Sequence, residues 1–152
     1  MPPVRPPRLI FLLNAAQRRL QQLVAAEQLR LAHESEHAPS PAQGGLLFVL
    51  QNGDGRTMGE VSQELDLAPS ATTGLVQRTE ALGWVRRAAC PQDARTQRVW
   101  LLPAGREQLP LLRSAVQRIN RRLTNGFTPD ELATVARWLQ HVQQTTQESD
   151  EP

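Results

Sequence analysis

The chain has 152 residues, of which 39% are hydrophobic and 21% are charged, and this profile is typical of one ordinary soluble domain. The length argues against a two-domain enzyme. A single cysteine excludes an internal disulfide framework, and the apolar run Leu9 to Leu13 is far too short for a signal peptide or a membrane span. We therefore expect a cytoplasmic protein with no membrane contact.

The formal net charge of +2 conceals blocks of opposite sign. Residues 54–77 and 128–152 are acidic, whereas residues 78–106 carry six arginines against two acids. The net charge alone argues only weakly for a polyanionic partner, but the basic centre of the chain argues for one more strongly.

The first third of the chain has the pattern of two helices. Apolar residues recur at spacings of three and four, which predicts an amphipathic helix from Leu9 to about His33. After a break that contains prolines, a second helix is predicted from about Pro41 to Gln51. Residues 52–55, Asn-Gly-Asp-Gly, then form a turn.

A helix-turn-helix followed by a hairpin is predicted in the middle of the chain. A short helix at residues 58–65 is joined by a brief connection to a longer helix at residues 69–83. Strand-like runs follow at residues 84–89 and 97–102, and a polar loop at residues 90–96 separates them.

Two further helices are predicted in the last third of the chain. Pro103 opens the first, and Pro110 removes one backbone amide near its start, which predicts a kink or a late start. Gly126 ends this helix. Residues 128–131, Thr-Pro-Asp-Glu, form a capping box that opens the last helix, and the acidic residues 148–152 are predicted to be disordered.

This order of elements resembles the MarR family of winged helix-turn-helix regulators. Residues 69–78 resemble the recognition helix of that family, and residues 80–87 resemble its exit into the wing. The wing signature of the family is matched by Asp93-Ala94-Arg95, Val99, Leu101 and Gly105. The resemblance covers about residues 9–145 and implies a mainly α (α+β) fold, a winged helix-turn-helix with N- and C-terminal dimerisation helices.

The helix that begins at Pro69 has a packing face and a polar face. The packing face carries Thr72, Leu75, Val76, Thr79 and Leu82. Short polar side chains on the other face can reach base edges in a major groove, and an arginine at a hairpin tip can enter the minor groove. The resemblance assigns that second role to Arg95, oriented by Asp93. The candidate DNA-binding residues are Ser70, Thr72, Thr73, Gln77, Arg78, Arg86, Arg87, Asp93, Arg95 and Arg98.

The resemblance also implies a domain plan and partners. A flexible arm, residues 1–8, precedes one domain at residues 9–147, whose DNA-binding lobe at about 41–105 lies between dimerisation helices at about 9–36 and 106–147. The implied function is a homodimeric transcriptional regulator, a repressor, that binds a pseudo-palindromic double-stranded DNA operator and responds to a small-molecule effector. The candidate dimer-interface residues are Leu9, Leu13, Leu20, Leu123, Leu132, Val135, Leu139 and Val142.

The chain departs from the family pattern at several positions. Gly74 stands where an arginine or asparagine is often found, which removes a candidate base contact. Leu102 replaces the threonine that usually caps the next helix, and it cannot cap. Thr72 and Thr79 occupy positions that are usually aliphatic, so we expect this face to pack less well.

Three other interpretations compete with a ligand-responsive DNA-binding regulator. His33-Glu34-Ser35-Glu36-His37 matches H-E-x-x-H, which binds zinc when it lies on a helix, so a metal-responsive regulator is one alternative. Cys90, with Arg86 and Arg87 nearby to lower its pKa, allows a redox-responsive regulator. A winged-helix module that binds proteins is the third. No catalytic triad, phosphate loop or paired carboxylates are evident, so we predict no enzyme, no metal site and no cofactor.

Overall fold

The computed structural model describes residues 8–53 and 55–147, and this part of the chain forms seven helices and three strands. In chain order they are α1 (Leu9–Glu34), α2 (Pro41–Asn52), β1 (Arg56–Thr57), α3 (Met58–Leu65), α4 (Pro69–Ala81), β2 (Val85–Cys90), β3 (Asp93–Leu101), α5 (Pro103–Arg106), α6 (Leu109–Thr124) and α7 (Pro129–Gln147). The chain divides within α6, between Val116 and Gln117, into two compact units. The predicted tail and all of the predicted arm except Arg8 lie outside the described residues.

Helices α2 and α3 begin at capping boxes. Ser40 Oγ accepts a hydrogen bond from the Gln43 amide at 3.2 Å, and Gln43 Oε1 accepts one from the Ser40 amide at 2.9 Å. Thr57 and Glu60 form the same reciprocal pair at the start of α3, at 3.1 and 2.7 Å. Because a side-chain N-cap contributes about 1 kcal/mol, each helix has a well-defined first residue.

The three strands form one antiparallel sheet in the order β1-β3-β2. Strand β1 was not predicted, since two residues are too few to show an alternating pattern. Arg56 of β1 pairs with Val99, and Val85 of β2 pairs with Leu101. The winged helix-turn-helix fold predicted from the sequence is confirmed.

The hairpin is tighter at its end than predicted. The predicted loop at residues 90–96 was wrong, because only Pro91 and Gln92 form the turn and β3 begins at Asp93. The pairing shifts between Ala89, which lies opposite Gln97, and Cys90, which lies opposite Asp93. Residues 94–96 therefore have no partner on β2 and bulge from the tip of the hairpin.

One apolar core joins the helix-turn-helix to the base of the hairpin. Each buried leucine or valine in it contributes about 1.5–3 kcal/mol relative to an exposed one. Its fully or almost fully buried members include Leu46, Leu47, Leu50, Val61, Leu75, Val76, Trp84, Val85, Val99 and Leu101. Leu82 was predicted to pack with them, and this was wrong: it lies just beyond the last residue of α4 and is 41% exposed.

The two threonines at usually aliphatic positions are packed without unsatisfied hydroxyls. Thr72 and Thr79 are both completely buried. Thr79 Oγ1 donates to the Leu75 carbonyl at 2.8 Å, and Thr72 Oγ1 donates to the Ala68 carbonyl at 3.2 Å. Since each hydroxyl has an acceptor, the cost of burying it is largely offset, and the expected packing defect is absent.

The single helix predicted from Pro103 to Gly126 was wrong, because the structure has two helices there with a break just before Pro110, close to the predicted kink or late start. The short helix α5 ends at Arg106, and α6 begins at Leu109 with Pro110 as its second residue. Leu102 occupies the N-cap of α5 without a side-chain hydrogen bond, as predicted. Gly105 is required in α5 because a Cβ there would lie 2.3 Å from the Trp84 carbonyl oxygen.

The predicted end of α6 and start of α7 are also confirmed. Gly126 has φ +87°, a conformation that favours glycine after a helix. Thr128 Oγ1 accepts from the Glu131 amide at 3.3 Å, and Glu131 Oε2 accepts from the Thr128 amide at 2.8 Å. Among the described residues, no helix combines the length and the apolar character needed to cross a membrane.

Candidate nucleic-acid interface

Helix α4 presents a polar face to solvent. Ser70, Thr73, Gln77 and Arg78 are all exposed, as predicted from their spacing. The buried face of the same helix is anchored by Leu75 and its neighbours in the core, so the exposed side chains project from a fixed support. Such a helix fits the width of a DNA major groove.

The guanidinium of Arg78 lies over Gly74. A Cβ built on Gly74 would be 3.1 Å from Arg78 Nη1. The family pattern has a longer side chain at residue 74, and in this chain the Arg78 guanidinium occupies that part of the surface instead. The surface therefore keeps a positive charge at this point of the helix.

Thr72 does not belong to the candidate DNA-binding residues. It is completely buried, and its hydroxyl accepts a hydrogen bond from Ser62 Oγ at 2.9 Å, which joins α3 to α4. The prediction that Thr72 contacts DNA was wrong because residue 72 lies one helical turn before Leu75 and Val76, on the packing face.

At the tip of the hairpin, Asp93 organises the bulge that carries Arg95. Its Oδ1 accepts from the Arg95 amide at 3.0 Å, and its Oδ2 accepts from Thr96 Oγ1 at 2.9 Å. Asp93 thus fixes the backbone at Arg95 rather than the guanidinium. Arg95 itself is exposed, and so is Arg86 on the neighbouring strand. Thr96 was missed, although its spacing from Asp93 suits a side-chain-stabilised turn.

Arg87 bonds within the molecule. Its amide donates to Glu80 Oε1 at 2.8 Å and its Nε donates to Glu80 Oε2 at 2.9 Å. Hydrogen bonds from the Arg87 amide and guanidinium lower the pKa of Glu80 from its ordinary value, although partial burial opposes the shift. Arg87 is therefore a link between the wing and α4, a role that was not predicted from the sequence.

Arg98 holds the other side of the wing. Its Nη1 donates to the Gly55 carbonyl at 2.7 Å, and its Nε donates to Cys90 Sγ at 3.4 Å. The hydrogen bond from Arg98 is the main cause that lowers the pKa of the Cys90 thiol. The prediction that Arg86 and Arg87 would do this was wrong, because both point elsewhere: Arg86 is exposed and Arg87 bonds to Glu80.

A shallow groove of about 490 Å³ lies between the start of α3 and the wing. It is lined by Thr57, Met58, Gly59, Arg95, Thr96 and Gln97. The residues on the α3 side were not predicted as part of the site. The Thr57-x-x-Glu60 capping-box pattern was the signal that could have located them, because it fixes the first turn of α3.

The histidine motif has no metal-binding geometry. Helix α1 ends at Glu34, and Ser35 is extended with φ −149° and ψ 133°, so His33 and His37 do not share a helical face. Both histidines are exposed. Within residues 8–53 and 55–147, no group of three or more His, Cys, Asp or Glu is placed to hold a metal ion.

Of the predicted dimer-interface residues, several are exposed on the single chain. Leu9, Leu20, Leu123, Val135 and Leu139 are exposed, and Leu13, Leu132 and Val142 are partly buried. The first turn of α1 has further exposed apolar residues that the sequence analysis did not single out: Ile10 (69%), Phe11 (67%) and Leu12 (60%). The first turn of α1 therefore exposes an apolar surface on the single chain.

A helix-turn-helix with an exposed polar second helix, followed by a basic hairpin, defines a DNA-binding protein of the winged helix-turn-helix class. A family model described as MarR family matches residues 39–96. The HTH-type transcriptional regulator YsmB of Bacillus subtilis (strain 168), itself uncharacterized, is 33% identical over 110 residues, which are 72% of this chain and 75% of YsmB. The chain therefore belongs to the MarR family of transcriptional regulators.

Solved structures show the same fold. A mutant of MarR from E. coli in complex with operator DNA has a TM-score of 0.74 at 25% identity, over 88% of this chain and 92% of that chain. PcaV from Streptomyces coelicolor, in complex with its natural ligand, also has a TM-score of 0.74, at 22% identity over 94% of this chain and 99% of that chain.

Proposed function

We propose that this protein is a repressor that binds a pseudo-palindromic DNA operator as a homodimer. The observation that carries the proposal is the exposed polar face of α4 beside the exposed arginines of the wing. In this arrangement α4 enters the major groove, where Gln77 and Arg78 contact base edges. Arg95 enters the adjacent minor groove, whose negative potential attracts a guanidinium.

In this proposal, residues of the wing contact the phosphates as well as the bases. Arg86 is exposed near the base of β2 and suits a phosphate contact, which positions the protein without reading sequence. The groove between α3 and the wing places Thr57 and Thr96 beside Arg95, so a sugar-phosphate strand that passes there meets two hydroxyls as well as the guanidinium. Transcription control on chromosomal DNA places this function in the cytoplasm.

The exposed apolar residues of the terminal helices support the proposed homodimer. A monomer would leave Phe11 on α1 and Val135 on α7 in water, whereas a two-fold interface would bury such residues on both chains. A two-fold dimer presents two copies of α4 about 34 Å apart, one turn of DNA, and this spacing requires an operator with two inverted half-sites.

A small effector completes the proposed function. PcaV, which shares the fold, has been solved with its natural ligand. We infer that this chain likewise binds a small molecule that favours a different spacing of the two lobes. Such a ligand lowers DNA affinity because it binds the two spacings unequally.

The decisive experiment measures DNA affinity by fluorescence anisotropy, after operator selection from random DNA. Arg95→Ala should weaken binding to the selected operator by about tenfold, and should reduce the slope of log affinity against log salt by about one if Arg95 also neutralises a phosphate. Gln77→Ala should relax sequence preference at one base pair, at a cost of about 1–3 kcal/mol.

The matched control is Arg30→Ala, which removes a guanidinium that pairs with Glu34 on α1, far along the chain from the wing. It should leave both the affinity and the salt slope unchanged. Selection that recovers no sequence, or equal losses for Arg30→Ala and Arg95→Ala, would contradict the proposal.

A further inference from the structure

On strand β2, the apolar core cluster ends at Val85, two residues before Arg87. On the hairpin, Val85 lies opposite Leu101, and these two residues share a face with Val99 in the core. Arg87 lies opposite Val99 on that same face, so it is the next side chain outward. Beyond Val85 no residue of β2 belongs to the core cluster, although Cys90 at the end of the strand is buried.

Glu80 meets Arg87 at this point. It lies in the last turn of α4, and its carboxylate accepts from both the main chain and the side chain of Arg87, at 2.8 and 2.9 Å. Both side chains are about one-third exposed. A two-point contact that includes a backbone amide fixes the strand itself, and not only a mobile side chain, against the helix.

The outer part of the wing needs such a restraint. Arg95 lies beyond Cys90, and Cys90 is three residues and about 10 Å further along β2 than Arg87. A tilt of the hairpin by roughly 10° about Arg87 would move the tip by about 2 Å, which is enough to break a hydrogen bond to DNA. The contact of Arg98 with Gly55 restrains the hairpin on its other edge but does not connect it to α4.

We propose that Glu80 and Arg87 form a positioning pair that fixes the angle between the recognition helix α4 and the wing, so that Arg95 and α4 contact one operator half-site together. This inference rests on the proposed DNA-binding function. Neither residue needs to contact DNA, because both act through the placement of Arg95.

The pair is expected to matter more for DNA affinity than for stability. A partly exposed ion pair contributes little to the free energy of unfolding. Removing it leaves the base of the hairpin anchored by Val85, Val99 and Trp84. The protein should therefore stay folded while the wing becomes less well oriented. A loss of DNA affinity without a matching loss of stability is what a purely structural role would not produce.

The test is a double-mutant cycle on the selected operator with Glu80→Ala and Arg95→Ala. Each single variant should weaken binding, Glu80→Ala by about tenfold, and the double variant should be no weaker than Arg95→Ala alone because the two residues act through one contact. Glu80→Gln keeps an acceptor for the Arg87 amide and should restore part of the loss. Glu34→Ala, which breaks the surface pair with Arg30, is the matched control and should bind like the wild type.

The outcomes separate the two proposals. A wild-type protein that binds no operator overturns the proposed function itself. A wild type that binds, combined with losses that multiply in the double variant or with no loss for Glu80→Ala, overturns the positioning pair alone. If circular dichroism shows that Glu80→Ala is unfolded, the same cycle with Glu80→Gln decides, and independent losses there overturn the pair.

Discussion

The DNA-binding lobe and the terminal helices use apolar residues in opposite ways. In the lobe, most leucines and valines of α2, α3, α4 and the hairpin are almost completely buried within one chain. In α1 and α7, several large apolar residues, such as Phe11 and Val135, are exposed. The core of the lobe is thus closed within one chain, with Leu109 and Leu112 of α6 among its buried members, whereas the proposed dimer would cover the exposed apolar residues of α1 and α7. This difference matches the proposed division between DNA recognition and dimer formation.

The largest expected effect tests whether the core of the lobe is formed within one chain. Leu47→Ala removes a side chain that is completely buried and should lower the free energy of unfolding by about 3 kcal/mol, because it leaves a cavity in the core. The measurement is urea denaturation followed by circular dichroism. Phe11→Ser, at a 67% exposed position, should cost far less at a protein concentration where the chain is monomeric. Equal losses of unfolding free energy for the two variants would contradict the contrast between the buried core of the lobe and the exposed apolar residues of α1.

The next effect tests the terminal helices. Val135→Glu places a charge in the exposed apolar stripe of α7, and it should shift the protein from dimer to monomer because an unpaired carboxylate is costly to bury in an interface. Sedimentation should show the change in mass, and operator affinity should fall at least tenfold. Gln144→Glu adds the same charge on the other side of α7 and should stay dimeric. A Val135→Glu variant that remains dimeric argues against α7 as the interface.

A smaller effect is expected where the lobe joins the C-terminal helices. Leu102 is the N-cap of α5 and makes no side-chain cap bond, so Leu102→Thr should raise the free energy of unfolding by about 1 kcal/mol. Urea denaturation measures the gain, and Leu102→Val, which adds a β-branch but no hydroxyl, is the control. An unchanged midpoint for Leu102→Thr would show that the amides at the start of α5 have other partners.

The smallest effect concerns acid stability. Hydrogen bonds lower the folded-state pKa of Glu80, chiefly from the Arg87 amide, and of Glu131, chiefly from the Thr128 amide. Because the unfolded chain binds these protons more tightly, the stability from each carboxylate is complete above its ordinary pKa of 4.5 and is lost as pH falls through the lower folded value.

Calorimetry at stepwise pH should therefore show a melting temperature that falls more gently below pH 4.5 in Glu80→Gln and Glu131→Gln than in the wild type. Glu80→Gln should show the larger change, since Glu80 is partly buried in the lobe and Glu131 is exposed on α7. A larger change for Glu131→Gln than for Glu80→Gln would mean that the carboxylate on α7 contributes more to acid stability than the one in the lobe.

The sequence predicted the helices well because their start signals are local. The Thr128-x-x-Glu131 box and Pro69 lie within one turn of the helices that they begin, and the predicted bounds of α3 agree with the structure. Strand β1 was not predicted, because it is defined by the pairing of Arg56 with Val99, which is far away in the sequence.

The candidate site was predictable only in part for the same reason. Exposed residues such as Gln77 and Arg95 follow from helical spacing and from the wing signature. The partners of Arg87 and Arg98 do not, because Glu80 and the Gly55 carbonyl come next to them only after the hairpin folds back. An arginine count identifies a basic wing, but it cannot separate arginines that face solvent from those that hold the wing in place.

The most direct test of the proposed operator binding is a hydroxyl-radical footprint of the wild type and of Arg95→Ala on the selected operator. The footprint of the wild type should show two protected half-sites whose centres lie about 34 Å apart, each flanked by a minor-groove protection that disappears in Arg95→Ala. A single protected half-site, or minor-groove protection that persists without the Arg95 guanidinium, would contradict the proposed operator binding.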